Sequence, residues 1–317
     1  MKISISTRAF PYVFILMLLC FSQKSSALPE MKVTYHVTDS ENGLPITNAV
    51  VTKCFILGSG YDGASTKQET AKVDRNGFCV ISGETHRHAG GGAGAQAEGY
   101  YYGSAELNFS GRNIMLNRWE PWNPTVEIKI RKIKNPVPMV KKYIEWKSIP
   151  YIGSAVGYDL EVGDWVSPHG KGKISDLILT TSSYFQEGQK GSEARYTLSF
   201  PNEFDGIQVY RYPEELHSSF KWPYQAPMDG YQPTLEKFRH WDVNGMPDKS
   251  NYAEKNNYMF RVRSRKLEDG SMEACYGMIE GEIEYIPQGK IRFSYWFTPV
   301  PNERSLEWNG VNLLKKK

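Results

Sequence analysis

The sequence predicts an all-β protein in two parts, and three observations carry that reading. Short β-branched runs recur along the chain, at 32–37 and 50–55 among others, and are bounded by turn chemistry at Asn42-Gly43, Gly58-Ser59-Gly60 and Asn76-Gly77. Apolar and charged residues alternate with a period of two, as where Val126, Ile128 and Ile130 are interleaved with Glu127, Lys129 and Arg131, the pattern of a half-buried strand. Helical signal is confined to 233–240, from Pro233 to His240, which suits two helical turns.

Residues 1–27 read as a cleavable secretory signal. Lys2 and Arg8 precede an unbroken apolar run from Val13 to Phe21, nine residues long, which is too short to cross a hydrocarbon core of ~30 Å. Ser25-Ser26-Ala27 supplies the small side chains that cleavage needs, and the cut is placed after Ala27. Cleavage leaves no membrane span. A retained anchor and a lipid on Cys20 are the competing readings, and Leu19, which is not small, opposes the second.

Removing the leader changes the charge balance. The chain of 317 residues has 38 basic and 35 acidic residues, and Lys2, Arg8 and Lys24 fall in the leader, so 35 of each remain. No basic excess is left to draw the protein to nucleic acid. Lys315-Lys316-Lys317 reads as a solvated end. The expected location is the periplasm, the cell surface or the medium. Cys54, Cys79 and Cys275 remain after cleavage. In an oxidising compartment Cys54 and Cys79 are the expected pair, because both lie in strand-like runs of one proposed domain; free buried thiols are the alternative. No Cys/His spacing points to zinc.

The strand pattern of residues 28–135 breaks at Asn135-Pro136-Val137-Pro138, where proline cannot donate to a ladder, and a second domain is expected over 136–317. Its clearest feature is a C-terminal antiparallel meander. Tyr258, Phe260 and Val262 alternate with Met259, Arg261, Arg263 and Arg265, Ile283 and Tyr285 with glutamates, and Ile291, Phe293, Tyr295 and Phe297 with Arg292, Ser294 and Trp296. Counting from the turns at Glu268-Asp269-Gly270 and Pro287-Gln288-Gly289 places Glu273 opposite Arg265 and Glu284 opposite Arg292. The charged stripes are read as a solvated, salt-laddered face. Much of the stretch from Pro213 to Lys255 reads as long loop.

The first domain carries specific motifs. Asp39 is followed by Gly43-Leu44-Pro45-Ile46 and Ala49-Val50-Val51, then Thr70, Asp74-Arg75-Asn76-Gly77-Phe78, then Gly99-Tyr100. This resembles the carboxypeptidase regulatory-like domain, a transthyretin-like, Ig-like β-sandwich, with Val73 in place of the usual Thr before Asp74. The resemblance spans about residues 30–133 and implies a stalk, spacer or binding accessory without catalytic residues. In it Gly43 and Pro45 form a tight turn, Ala49 is small where sheets close, and the Asp74–Gly77 turn feeds Phe78 into the core. A glycine-rich insertion at 86–97 departs from a minimal member.

Few residues point to chemistry. His86-Arg87-His88 is the nearest approach to a metal pair, and no third ligand is evident. His169 follows Asp159, Glu161 and Asp164 closely enough to suit acid–base work if they converged. Trp222, His240, Trp241 and Asp242, like Trp119 to Trp122, are loop aromatics beside carboxylates, suited to sugar stacking or to loop anchoring. No nucleophile elbow, His-Glu-x-x-His pair or dinucleotide fingerprint occurs, and no catalytic residue, metal or cofactor is expected. The sequence therefore reads as an exported, non-enzymatic interaction, adhesion or structural protein, with a protein or glycan partner at the cell envelope. Its rival is a glycan-binding or glycan-active protein using Trp222, Trp241 and Asp242.

Overall fold

Twenty-one strands and no helix make up the regular structure of the described residues. The computed structural model describes residues 28–60, 63–86, 92–184, 191–242 and 244–314. The all-β class is as the periodicity predicts. The chain divides into two units. The first holds residues up to Lys132 together with His217–Ser219, and the second holds Ile133–Leu216 and Phe220–Lys317.

The first unit contains β1 (Glu30–Asp39), β2 (Val50–Gly60), β3 (Gly63–Lys72), β4 (Phe78–Glu84), β5 (Ala93–Gln96), β6 (Gly103–Ala105), β7 (Gly111–Asn113), β8 (Arg118–Glu120) and β9 (Thr125–Ile130). One sheet runs β4-β1-β8-β7 with β9 parallel to β1; the other runs β3-β2-β5-β6. Met31, Val33, Tyr35 and Val37 of β1, with Ile128 and Ile130 of β9, share one buried cluster with Val51 and Phe55 of β2 and Ala93 and Ala95 of β5. The two sheets thus close over a common core, as alternating strands must when each has one apolar face.

The turn before β4 shows why its residues are needed. Asp74 Oδ1 accepts from Asn76 N (2.8 Å) and Phe78 N (2.9 Å). Gly77 stands at φ +78°, and a Cβ there would meet Val37 O at 2.7 Å and Pro45 Cβ at 3.0 Å. No other residue satisfies both the dihedral and the space. Phe78 itself departs from expectation. It is 36% exposed and stacks flat on His36 at 4.1 Å, while Cys79 and Ile81 enter the core. Strand parity decides this: the turn delivers Phe78 to the outer face, so its neighbour points inward.

The same parity removes the expected disulfide. Cys54 and Cys79 are both free. Cys54 is exposed on the outer face of β2, between the inward Lys53 and Phe55, whereas Cys79 is buried in the core beneath the other sheet. Burial pushes the Cys79 and Cys275 thiols up to about 11. Labelling the folded chain from Leu28 onward with a thiol reagent at neutral pH is expected to modify Cys54 alone. Cys79 and Cys275 should react only after unfolding. Recovery of a Cys54–Cys79 peptide pair from oxidised protein would contradict this structure.

The second unit contains β10 (Val137–Ser148), β11 (Val156–Asp159), β12 (Asp164–Trp165), β13 (Leu177–Tyr184), β14 (Ser192–Ser199), β15 (Gly206–Tyr210), β16 (Thr234–Trp241), β17 (Pro247–Ser250), β18 (Asn257–Lys266), β19 (Met272–Ile286), β20 (Lys290–Thr298) and β21 (Trp308–Asn312). They form two six-stranded sheets, β15-β18-β19-β20-β10-β21 and β12-β11-β13-β14-β16-β17. Tyr258, Phe260, Val262, Ile283, Phe293 and Tyr295 of the first pack against Tyr158, Leu177, Leu179, Tyr196 and Leu198 of the second. Pro138 lies between Val137 and Met139, where the β10–β21 ladder shifts register.

The meander is built as counted. Arg265 faces Glu273 and Glu284 faces Arg292, with guanidinium-to-carboxylate contacts of 2.7 and 2.6 Å. Two members of the charged stripes leave it. Register shifts between Val262 and Arg265, and between Glu280 and Glu284, turn Arg263 and Glu282 away from solvent. Residues 233–240 are not helical. Residues from Thr234 onward belong to β16 (Thr234–Trp241), paired over eight residues with β14 from Ser192↔Trp241 to Ser199↔Thr234. A full strand ladder outweighs the weak helical preference of a short segment.

Candidate functional site

The outer face of the β13-β14-β16-β17 sheet presents the most ligand-like arrangement among the described residues. Registers place Tyr184 beside Glu193, Glu193 beside His240, and His240 beside Lys249, a single row across four strands. Residues directly opposite in a ladder share a face, so these four side chains stand together. The next row brings Ser182, Arg195 and Phe238 into line, with the Arg195 guanidinium 5.1 Å over the Phe238 ring. Arg195 also contacts Glu193 at 3.3 Å on the exposed surface.

At the end of this row lies a recess of about 420 Å³ lined by Ser182, Ser183, Tyr184, Ser192, Glu193 and His240, with Gly191 at its edge. Such a volume accommodates a small ligand or one or two sugar rings. Gly191 stands at φ +80°, and a Cβ there would come within 2.7 Å of Trp241 O and 3.1 Å of His240 Nε2. Glycine lets the chain pass over the imidazole without covering it. On the outer face the lining offers one exposed phenol ring, one imidazole, one carboxylate and the Ser182 hydroxyl. This set can stack on a flat apolar ring face and exchange hydrogen bonds with hydroxyl or amide groups.

His240 is the one sequence-predicted residue in this recess. Trp241, the next residue on the strand, points to the opposite face and packs against the core. Asp242 lies past the strand end and closes a turn: its carboxylate accepts from Met246 N (2.9 Å) and Asn244 N (2.8 Å), and these bonds hold it below the usual carboxylate range. Trp222 is 6% exposed, stacked on Tyr210 at 5.5 Å and edge-on to Tyr212 at 5.4 Å. The expected groove of Trp222, Trp241 and Asp242 therefore does not form. Adjacent strand residues cannot share a face, and Trp222 is a loop anchor.

His169 is not gathered with the nearby acids. Its ring lies edge-on to Tyr151 at 5.0 Å. Asp159, 2% exposed, accepts from Glu161, Val162, Lys173 and Ile174 N at 2.8–3.1 Å, so it organises the two loops that follow β11 and β12. Glu161 pairs with Arg263 at 2.7 Å, and Asp164 binds Lys147 and Lys171 N. These carboxylates are structural. Arg87 and His88 lie outside the described residues, as do 1–27 and Lys315 to Lys317. Among the described residues no group of three His, Cys, Asp or Glu is placed to hold a metal ion.

A second recess, also about 420 Å³, is bordered by Ile174, Asn202, Arg265, Glu273, Pro299 and Pro301. Its charges are engaged with each other, Arg265 to Glu273 at 2.7 Å, which leaves less polar capacity for a ligand.

Tyr184, Glu193 and Ser182 escape notice in the sequence because nothing local marks them. The available signal was the alternation of β16, which puts His240 and Trp241 on opposite sides once 233–240 is read as a strand. In comparison with known proteins, the chain matches no protein-family model, no curated protein and no solved structure.

Proposed function

We propose that this chain is an exported, non-enzymatic interaction protein of the cell envelope that takes its ligand on the outer face of the β13-β14-β16-β17 sheet. The observation that carries the reading is the Tyr184–Glu193–His240 row with its recess of about 420 Å³. The leader-like composition of residues 1–27 supports export. The first unit acts as a spacer or docking sandwich of the carboxypeptidase regulatory-like kind. Two sheets over one core and the Asp74–Gly77 turn are what support that part.

The same recess favours a glycan over other small ligands. Tyr184, 52% exposed, supplies a stacking face, while Glu193 and the Ser182 hydroxyl match sugar hydroxyls. The experiment is a glycan array, with crosslinking in the native envelope, on the chain from Leu28 onward. Tyr184→Ala and His240→Ala are expected to weaken capture at least tenfold without moving the thermal midpoint. Trp222→Ala should instead cost about 3–5 kcal/mol of stability, the usual penalty for emptying a buried tryptophan site. Capture that survives both recess substitutions places the ligand elsewhere.

Export has its own test. N-terminal sequencing of the protein recovered outside the cytoplasm is expected to begin at Leu28, give or take a few residues. Recovery solely of membrane-bound chain that keeps residues 1–27 would replace export by anchoring.

A further inference from the structure

Ile114, Met115 and Leu116 form the tip of the β7–β8 hairpin and are 84%, 96% and 59% exposed. Turns of this kind ordinarily carry Gly, Asn, Asp or Ser, and three consecutive large apolar side chains in water are costly to solubility. The hairpin does not need them for its own structure. Asn113 Oδ1 accepts from Leu116 N at 3.1 Å, Asn117 takes the left-handed conformation at φ +47°, and Arg112 donates to Asn117 Oδ1. The turn is held by polar contacts while its apolar side chains project outward.

Behind the tip stands an aromatic and cationic collar. Arg118 lies 4.8 Å from the Trp122 ring centroid and Lys32 lies 6.0 Å from it, with Arg112 exposed alongside. An apolar tip followed by tryptophan and basic residues follows the polarity gradient of a lipid–water interface.

We propose that Ile114, Met115 and Leu116 insert into the interface of a phospholipid bilayer and hold the first unit against the membrane surface. A protein partner would have to offer a pocket shaped for this projecting knob; a bilayer accepts any three adjacent apolar side chains at a turn. The attraction is chiefly apolar, because Glu120 neutralises Arg118 at 2.8 Å. It is weak and reversible, since even one myristoyl chain gives only about 10⁴ M⁻¹.

The test is sedimentation of the chain from Leu28 onward, which retains every described residue, with vesicles of phosphatidylcholine alone and with phosphatidylglycerol added. Binding is expected to both, with little gain from the anionic lipid. The combined Ile114→Ser, Met115→Ser and Leu116→Ser variant should lower the partition coefficient at least tenfold at an unchanged thermal midpoint. As an independent readout, Met115→Cys carrying a polarity-sensitive dye, in a Cys54→Ser background, should shift its emission to the blue on vesicles. The proposal is overturned if the wild-type chain does not sediment, or if the triple variant binds equally. It is likewise overturned if the tip substitutions alter only self-association or crosslinking to a protein.

Discussion

Glu282→Ala is expected to lower the unfolding free energy by about 3–5 kcal/mol, the cost of breaking a buried ion pair by removing one partner. The Glu282 and Lys237 side chains are 10% and 5% exposed and meet at 2.8 Å. Lys237 comes from β16 and Glu282 from β19, so the pair ties the two sheets of the second unit together. The carboxylate also accepts from Ala253 N (2.9 Å), Asn256 Nδ2 (3.0 Å) and the Tyr258 hydroxyl. Alanine would strip all of these donors at once and leave an ammonium among the Tyr252 and Tyr258 rings, 5.5 and 5.6 Å away. The remaining bond from Lys237 Nζ to Asn251 O, at 3.3 Å, offsets part of this loss.

Glu284→Ala provides the comparison. Its pair with Arg292 is far more exposed, and pairs of that kind contribute no more than about 1 kcal/mol. Urea unfolding of both variants separates the cases through their midpoints at constant slope. Replacing Lys237 and Glu282 together by methionine and leucine should be less damaging than Glu282→Ala, because no buried charge is then unpaired. Equal losses for Glu282→Ala and Glu284→Ala would remove Glu282 from this role.

Arg263→Ala should be comparably severe, at about 3–5 kcal/mol. Asp176 is fully buried, and Arg263 grips it with Nε at 2.8 Å and a terminal nitrogen at 3.0 Å. The same guanidinium reaches Glu161 at 2.7 Å and Asp159 at 3.7 Å and lies 5.1 Å over Phe297. Arg263 adopts φ +57° within the β18 bulge to make these contacts. Lysine would not replace it, having no planar fork for a bidentate grip.

The pH dependence has a definite sign. Burial raises the Asp176 carboxyl above its usual range, even though the Arg263 hydrogen bond and charge pull it down. A carboxyl raised on folding contributes stability that is present below its unfolded value, near pH 4, and lost as pH rises through its folded value. Removing Arg263 deletes the opposing pull. The deficit of Arg263→Ala should therefore grow from acid towards neutral pH, as measured by denaturant unfolding across that interval. A deficit independent of pH would show that Asp176 is not the group left uncompensated.

The alternation along 258–262 and 291–297 was enough to orient those strands, and short turns let Arg265–Glu273 and Glu284–Arg292 be paired by counting. Bulges defeated the same counting two residues away. Arg263 and Glu282 look like solvent-facing members of charged stripes, yet one positive-φ residue and a two-residue register shift carry them inward. Residues 233–240 misled for a related reason: a weak local preference for helix is overridden only by the ladder with β14.

By itself the sequence determined the all-β class, the turns that need Gly43, Asp74 and Gly77, and the meander registers, because each depends on residues close along the chain. Only the tertiary structure decided that Cys54 and Cys79 face different environments, that Trp222 and Trp241 are packing residues, and that His240 joins Tyr184 and Glu193. Those outcomes depend on which strands pair, in which register, and on how the loops pack against them. A shift of one residue in such a pairing exchanges every side chain between core and surface, and no local rule sets it.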